Sequence, residues 1–128
     1  TGTEVKEEEF VCEMPGKKVK VAVISADVMG NGDDELGKVL IKGFLYALSQ
    51  METHVDTILF YNGGAKLTTE GSDSIEDLKK MEAEGTEILT CGTCLKHYGL
   101  MEKLLVGKVT DMYTITERMM GADKIIRP

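Results

Sequence analysis

The chain has no tryptophan, and aromatic residues make up only 5% of its 128 positions. A stacking platform for single-stranded nucleic acid needs such rings, so that class of function is excluded. Basic residues are also in deficit. Lys and Arg number 15 against 22 Asp and Glu, for a formal charge of −7. A phosphate-backbone binder needs the opposite sign, and no nucleic-acid partner is expected. The 3 cysteines are too few for a disulfide scaffold. No apolar run approaches the roughly 20 residues of a membrane span, so no membrane association is expected either. The chain opens at Thr1 with no charged-then-apolar leader. It therefore reads as processed, or as cut from something longer.

What is present is ordinary for a globular protein: 42% hydrophobic and 29% charged residues, enough for one domain with its own core. Residues 1–18 are set apart. Glu7, Glu8, Glu9 and Glu13 lie there with Lys6, Lys17, Lys18 and the turn pair Pro15-Gly16, which reads as a linker or arm. Phe10, Val11 and Met14 are placed to dock locally, and Cys12 is expected to be incidental. Residues 19–128 form the domain. The short β-branched runs 19–25, 57–61, 87–90 and 124–126 predict strands, with a further short one near Val109. The first barely alternates, as a strand buried on both faces does. Helices fall between them. Asp33, Asp34 and Glu35 open one that runs to about Gln50 and is too apolar to be half solvated. Asp73 and Glu76 have capping-box spacing ahead of Ile75, Leu78 and Met81, and Gly85 ends that helix. A short helix follows Cys91. Thr110 caps a last one to Met120, with Gly121 beyond its end. Alternating strands and helices mean a three-layer α/β/α sandwich of flavodoxin-like type, with four or five mostly parallel strands. Ligands in such sheets bind beyond the carboxyl ends of the strands, where three Gly-rich loops are expected to converge.

The sharpest chemistry is Cys91-Gly92-Thr93-Cys94, placed where a strand ends and a helix begins. Free amides of Thr93, Cys94 and Leu95 at a helix start favour a thiolate on Cys91, which is expected to react faster than Cys94. The pair also admits a bland reading as two small buried residues. A zinc site needs two more ligands, and only Cys12, His54 and His97 remain as soft candidates, so no metal is expected. A thioredoxin-type oxidoreductase normally uses a cis-proline nearby, and Pro15 and Pro128 are not placed to supply it. Gly30 and Gly32, ahead of Asp33, imitate a phosphate cradle. Three carboxylates there repel pyrophosphate, and the loop reads as a turn plus helix cap or as part of a pocket. Asn62, Gly63, Gly64 and Lys66 follow the second strand and are candidate pocket residues, as are Gly92, Thr93 and His97. His54 reads as a loop residue.

The segment Cys91-Gly92-Thr93-Cys94-Leu95-Lys96-His97-Tyr98-Gly99-Leu100 resembles the sulfur-relay segment of the DsrE-like family, where a strand-end cysteine precedes a short helix ending in glycine. Cys91 takes the place of the family cysteine and Gly99 that of the glycine. His97-Tyr98 stands where the family often has an arginine. With Met29-Gly30-Asn31-Gly32-Asp33-Asp34-Glu35-Leu36-Gly37, Phe60-Tyr61-Asn62-Gly63-Gly64 and Glu70-Gly71-Ser72, the closest likeness is to the carboxyl-terminal DsrE-like domain of YedF-type proteins. No TusA-like Cys-Pro motif is present, so the resemblance implies that second domain alone, with the acidic arm as interdomain linker. It implies a sulfurtransferase-like carrier linked by name to selenium metabolism, which holds a cysteine persulfide on Cys91 with Cys94 resolving or shielding it. A TusA-like sulfur-transfer domain is the implied partner. No cofactor is expected. A ligand-binding or assembly module, and a thiol-disulfide redox protein, are the competing functions. Paired free thiols without a leader imply a reducing cytoplasm. The apolar first helix, and Met112, Tyr113, Met119 and Met120 in the last, mark contacts between chains. Family members commonly assemble, so a homo-oligomer is expected, trimer or hexamer ahead of dimer.

Overall fold

The computed structural model describes residues 18–128. The expected arm up to residue 17, with Cys12, Phe10, Val11 and Met14, lies outside the described residues. The elements are β1 (Lys20–Ile24), α1 (Asp34–Ser49), β2 (Thr57–Phe60), a 3-10 helix (Asn62–Thr68), α2 (Ile75–Ala83), β3 (Glu87–Cys91), α3 (Gly92–His97), a 3-10 turn (Met101–Lys103), β4 (Lys108–Thr110), α4 (Met112–Met120) and β5 (Lys124–Ile126). The strands form one parallel sheet in the order β4-β3-β2-β1-β5. This is the expected three-layer α/β architecture. Strand alternation divides the core in two. Ala22, Ile24, Ile58, Phe60 and Ile88 face α1 and α2, where Ile41, Leu45, Leu78 and Met81 close over them. Val21, Val23, Leu59, Leu89 and Cys91 face the other way, onto Ile115 of α4. β1 lies between both layers, and its Val21, Ala22, Val23 and Ile24 are at most 1% exposed.

The topology places the site. From β1 to β4 the chain steps along the sheet in one direction, so right-handed crossovers put their connections on one face. The connection from β4 to β5 runs back across the sheet, which puts α4 on the opposite face. Connections therefore diverge between β3 and β4, and in open parallel sheets the crevice at such a point is where ligands bind. Cys91, paired with Thr110 of β4, ends β3 there. Two expected caps are corrected. α2 starts after Ser74, whose side chain makes no cap bond. The Asp73 capping box does not form, since the helix takes Ser74 and not Asp73 as its N-cap; the Ser74 amide donates to Ser72 Oγ at 3.1 Å. α4 is capped by Asp111 rather than Thr110. Thr110 is still within β4, and the Asp111 carboxylate accepts from the Thr114 amide at 2.9 Å. Among the described residues no helix is long and apolar enough to cross a membrane.

Candidate functional site

Two thiols meet at the carboxyl end of β3. Alternation along the strand turns Leu89 and Cys91 toward α4, and Cys91 is only 2% exposed within that cluster. The helix that starts at Gly92 places Cys94 three residues on, half-buried against the same cluster. Both are free thiols. The expected arrangement of helix amides around Cys91 is not found. Cys91 occupies the N-cap position of α3, yet its side chain makes no cap hydrogen bond. The strand has already turned its Cβ into the core before the helix begins. The amide aimed at sulfur comes from another loop: Asn62 N–H donates to Cys94 Sγ at 3.0 Å. Asn62 follows β2 with φ of 51°, in the left-handed region that asparagine tolerates better than most residues. Tyr98 donates its hydroxyl to Asn62 Oδ1 at 2.9 Å, and Lys66 Nζ stands 4.7 Å from the centre of the Tyr98 ring. His97 packs edge-on against the same ring. Burial pushes the Cys94 thiol above its ordinary range. The Asn62 amide opposes this, and the neighbouring Cys91 side chain adds to the rise.

Lys66 and Tyr98 also form one wall of a cleft of about 620 Å³. Its other walls come from α1, through Lys38 and Lys42, and from the loop 69–74 that leads into α2. Asp27, just beyond β1, reaches it as well. Neither cysteine lines the cleft. Cys94 is joined to its Tyr98 wall through Asn62, whose amide donates to the Cys94 sulfur and whose Oδ1 accepts from the Tyr98 hydroxyl.

The sequence and the fold are both matched by known proteins. The model of the DsrE/DsrF-like family matches residues 26–128. The chain belongs to the DsrE/DsrF-like family. Two solved structures are similar. One is a protein of unknown function, MTH1491 from Methanobacterium thermoautotrophicum, with a TM-score of 0.64 at 20% identity. The other is the ychN protein of E. coli, with a TM-score of 0.65 at 16% identity. Each comparison covers 88% of this chain and 100% of the other. At these identities the likeness is one of fold. No curated protein matches the chain in sequence.

The DsrE/DsrF-like chain brings together some of the expected site residues and leaves others apart. Asn62 joins Cys94, and Lys66 stands over the Tyr98 ring that is hydrogen-bonded to Asn62. Gly63 sits between Asn62 and Asp27, and a Cβ there would lie 3.6 Å from Asp27 Oδ1. Gly64 is buried and has a structural role, since the space for its Cβ is filled by the Ile24 carbonyl. Gly92 lets β4 approach the strand end: a Cβ would stand 2.9 Å from Val109 Cγ1. Thr93 and His97 are exposed on α3, outside the cleft. Gly30 and Gly32 do not belong to the site. Both are exposed, with nothing within 4 Å of an added Cβ, because their loop turns outward to reach the Asp33 cap of α1. The three strand-end loops thus converge only in part. His54 precedes β2 at the opposite end of the sheet, where it is hydrogen-bonded to Glu84. Among the described residues no group of three or more His, Cys, Asp or Glu is placed to hold a metal ion. Tyr98, Asp27, Lys38 and Lys42 were not expected at the site. The segment Glu70-Gly71-Ser72, noticed as a motif of the family, was the available signal for the cleft.

Proposed function

We propose that this protein carries sulfane sulfur as a persulfide on the Cys91–Cys94 pair, within a sulfur relay. One observation carries the reading. Two free thiols lie one helical turn apart at the carboxyl end of a parallel sheet, the inner one buried and the outer one facing a backbone amide at 3.0 Å. Access orders the steps. The Cys94 thiolate attacks the outer sulfur of a donor persulfide. The donor's S–S bond breaks and the donor leaves as its thiolate. The Asn62 amide partly offsets the burial that raises the Cys94 thiol, and it stabilises the charge on the attacking sulfur. Cys91 then attacks the same outer sulfur, which frees Cys94 and holds the persulfide out of water. On discharge without an acceptor, the thiolate of one cysteine attacks the other's own sulfur. A Cys91–Cys94 disulfide forms and sulfide departs, two thiols being oxidised as the sulfane sulfur is reduced.

The finer identity we propose is the carboxyl-terminal domain of a YedF-type protein, on the strength of its four ordered motifs. Its partner would be a TusA-like sulfur-transfer domain, its compartment a reducing cytoplasm and its assembly a homo-oligomer. Selenium would follow the same path, since a thiolate attacks a selenosulfide as it does a persulfide. The test is intact mass after incubation with a persulfide donor. The parent is expected to gain one sulfur atom. Cys94→Ser loads at least about tenfold more slowly, as removal of the accessible nucleophile demands. Cys91→Ser loads on Cys94 and loses the sulfur faster to added reductant. No gain of sulfur by the parent, or loading of both variants at the parent rate and stability, overturns the reading.

A further inference from the structure

The 620 Å³ cleft has a composition that the thiol pair does not explain. It holds charges of both signs that do not neutralise one another. Lys42 pairs with Asp77 at 2.9 Å. Lys38, Lys66, Asp27 and Asp73 line the cleft without an ion-pair partner among the described residues, and Lys66 rests instead over the Tyr98 ring. The loop that carries Asp73 is held in place by its own hydrogen bonds. Thr69 donates to the Lys66 carbonyl at 3.0 Å, and Ser72 Oγ accepts from the Ser74 amide at 3.1 Å. The backbone of that wall is therefore held by its own hydrogen bonds, which lowers the entropic cost of binding there. Its volume suits a small organic molecule rather than a protein segment.

We propose that this cleft binds a small zwitterionic thiol, an amino acid or short peptide, and delivers its persulfide to Cys94. Carboxylates of the ligand meet Lys38 and Lys66, and its ammonium group meets Asp27 or Asp73. Its sulfur points to Tyr98, which the cleft shares with the cysteine site through the Asn62 side chain. In the transfer, the Cys94 thiolate forms a bond to the outer sulfur of the ligand persulfide. The bond between the two ligand sulfurs breaks, and the ligand departs as a thiolate that takes up a proton from water. The sulfane sulfur keeps its oxidation level, so no oxidant or reductant is consumed. The delivery step rests on the sulfur-carrier reading, whereas the binding step does not.

Binding is tested with S-methylglutathione, which has the carboxylates and ammonium group but no free thiol. It is titrated into the isotopically labelled full chain and followed by amide shifts. Saturable shifts in the Lys38, Ser72 and Tyr98 region are expected. Lys38→Ala with Asp73→Asn should weaken binding about tenfold or more, the scale of one or two charge-assisted contacts. Both side chains are exposed, and an unchanged melting temperature shows that the variant is folded. Delivery is tested by intact mass, comparing loading from glutathione persulfide with loading from inorganic polysulfide. The preference for the peptide donor should fall by the same factor in the variant. Absence of saturable binding, or binding that the double variant leaves unchanged, overturns the cleft assignment. An equal donor preference in parent and variant overturns delivery. S-methylglutathione binding with no sulfur gain from either donor supports the cleft and overturns the sulfur-carrier reading instead.

Discussion

Gly64 has no room for a side chain. The chain leaving β2 turns at once into the 3-10 helix and crosses the end of β1. There Tyr61 N–H donates to the Ile24 carbonyl at 3.2 Å and Gly64 N–H to the Tyr61 carbonyl at 3.0 Å. A Cβ on Gly64 would stand 2.1 Å from that Ile24 oxygen, which is backbone within a fully buried strand and has nowhere to move. Gly64→Ala should therefore cost about 3 kcal/mol, the upper end of ordinary overpacking. Gly63→Ala meets only van der Waals contacts of 3.5 Å and longer and should cost far less. Urea denaturation distinguishes them: a lower midpoint with unchanged slope is expected for Gly64→Ala. Parent-like stability for that variant would contradict the close approach. The same packing fixes the start of the loop that presents Asn62 to Cys94, so a loosened Gly64 should also slow sulfur loading.

At the scale of elements, α4 packs on the β-sheet face that holds Cys91, and an ion pair ties it down. Arg118 donates Nε and Nη2 to the two Glu87 oxygens at 2.8 and 2.9 Å, and Thr57 Oγ1 adds a third bond at 3.0 Å. The Arg118 hydrogen bonds, aided by Thr57, hold the Glu87 carboxyl below its ordinary range. A depressed carboxylate contributes stability above its unfolded pKa and loses it as pH falls through the folded one. Both side chains are more than a third exposed, so solvent screening limits the contribution to about 1 kcal/mol or less. Glu87→Gln should therefore melt lower than the parent at pH 7, and the gap should narrow as pH falls below about 4. A gap independent of pH would show that the contact acts by packing alone. The sequence made these elements legible where the cause was local. Val21 to Ile24, Ile58 to Phe60 and Ile88 to Thr90 are short apolar runs closed by loops, and they form strands. Ile75, Leu78 and Met81 share one helical face and are buried as expected. Causes that depend on distant chain were not legible. The 3-10 helix 62–68 begins in Asn62-Gly63-Gly64, a turn signal, and is held together by burial of Ala65, Leu67 and Thr68. The sulfur-binding amide of Asn62 lies 32 residues from Cys94, and Tyr98 reaches Asn62 across 36. Periodicity cannot report such pairings.

At the scale of the whole molecule, the described residues expose more apolar surface than their own layers cover. α1 buries Ile41, Leu45 and Leu48 against the sheet, yet leaves Leu36, Val39 and Leu40 at 55%, 66% and 45% exposure. Their spacing puts them on one strip of helix. Among the described residues the sheet covers one side of this helix only. A second exposed group, Val109, Met112 and Tyr113, lies at the β4 edge, and Val109 touches the space beside Gly92 at the strand end of Cys91. Burying each such side chain in a partner contributes on the order of 1 kcal/mol from its remaining apolar area. Several together can outweigh the repulsion between chains of charge −7. A ring that joins the α1 strip of one copy to the β4 edge of the next would use both surfaces and close on itself, which favours a trimer, or two stacked as a hexamer. It would also place the neighbour against Gly92 and narrow the approach to Cys91, leaving Cys94 as the reachable thiol. Light scattering at micromolar concentration is expected to give a trimeric or hexameric mass. Val39→Glu and Tyr113→Glu should each lower it, since each buries a charge in the contact. A monomeric mass for the parent would rule out the assembly. The shielding of Cys91 would then rest on α4 and the strand packing alone.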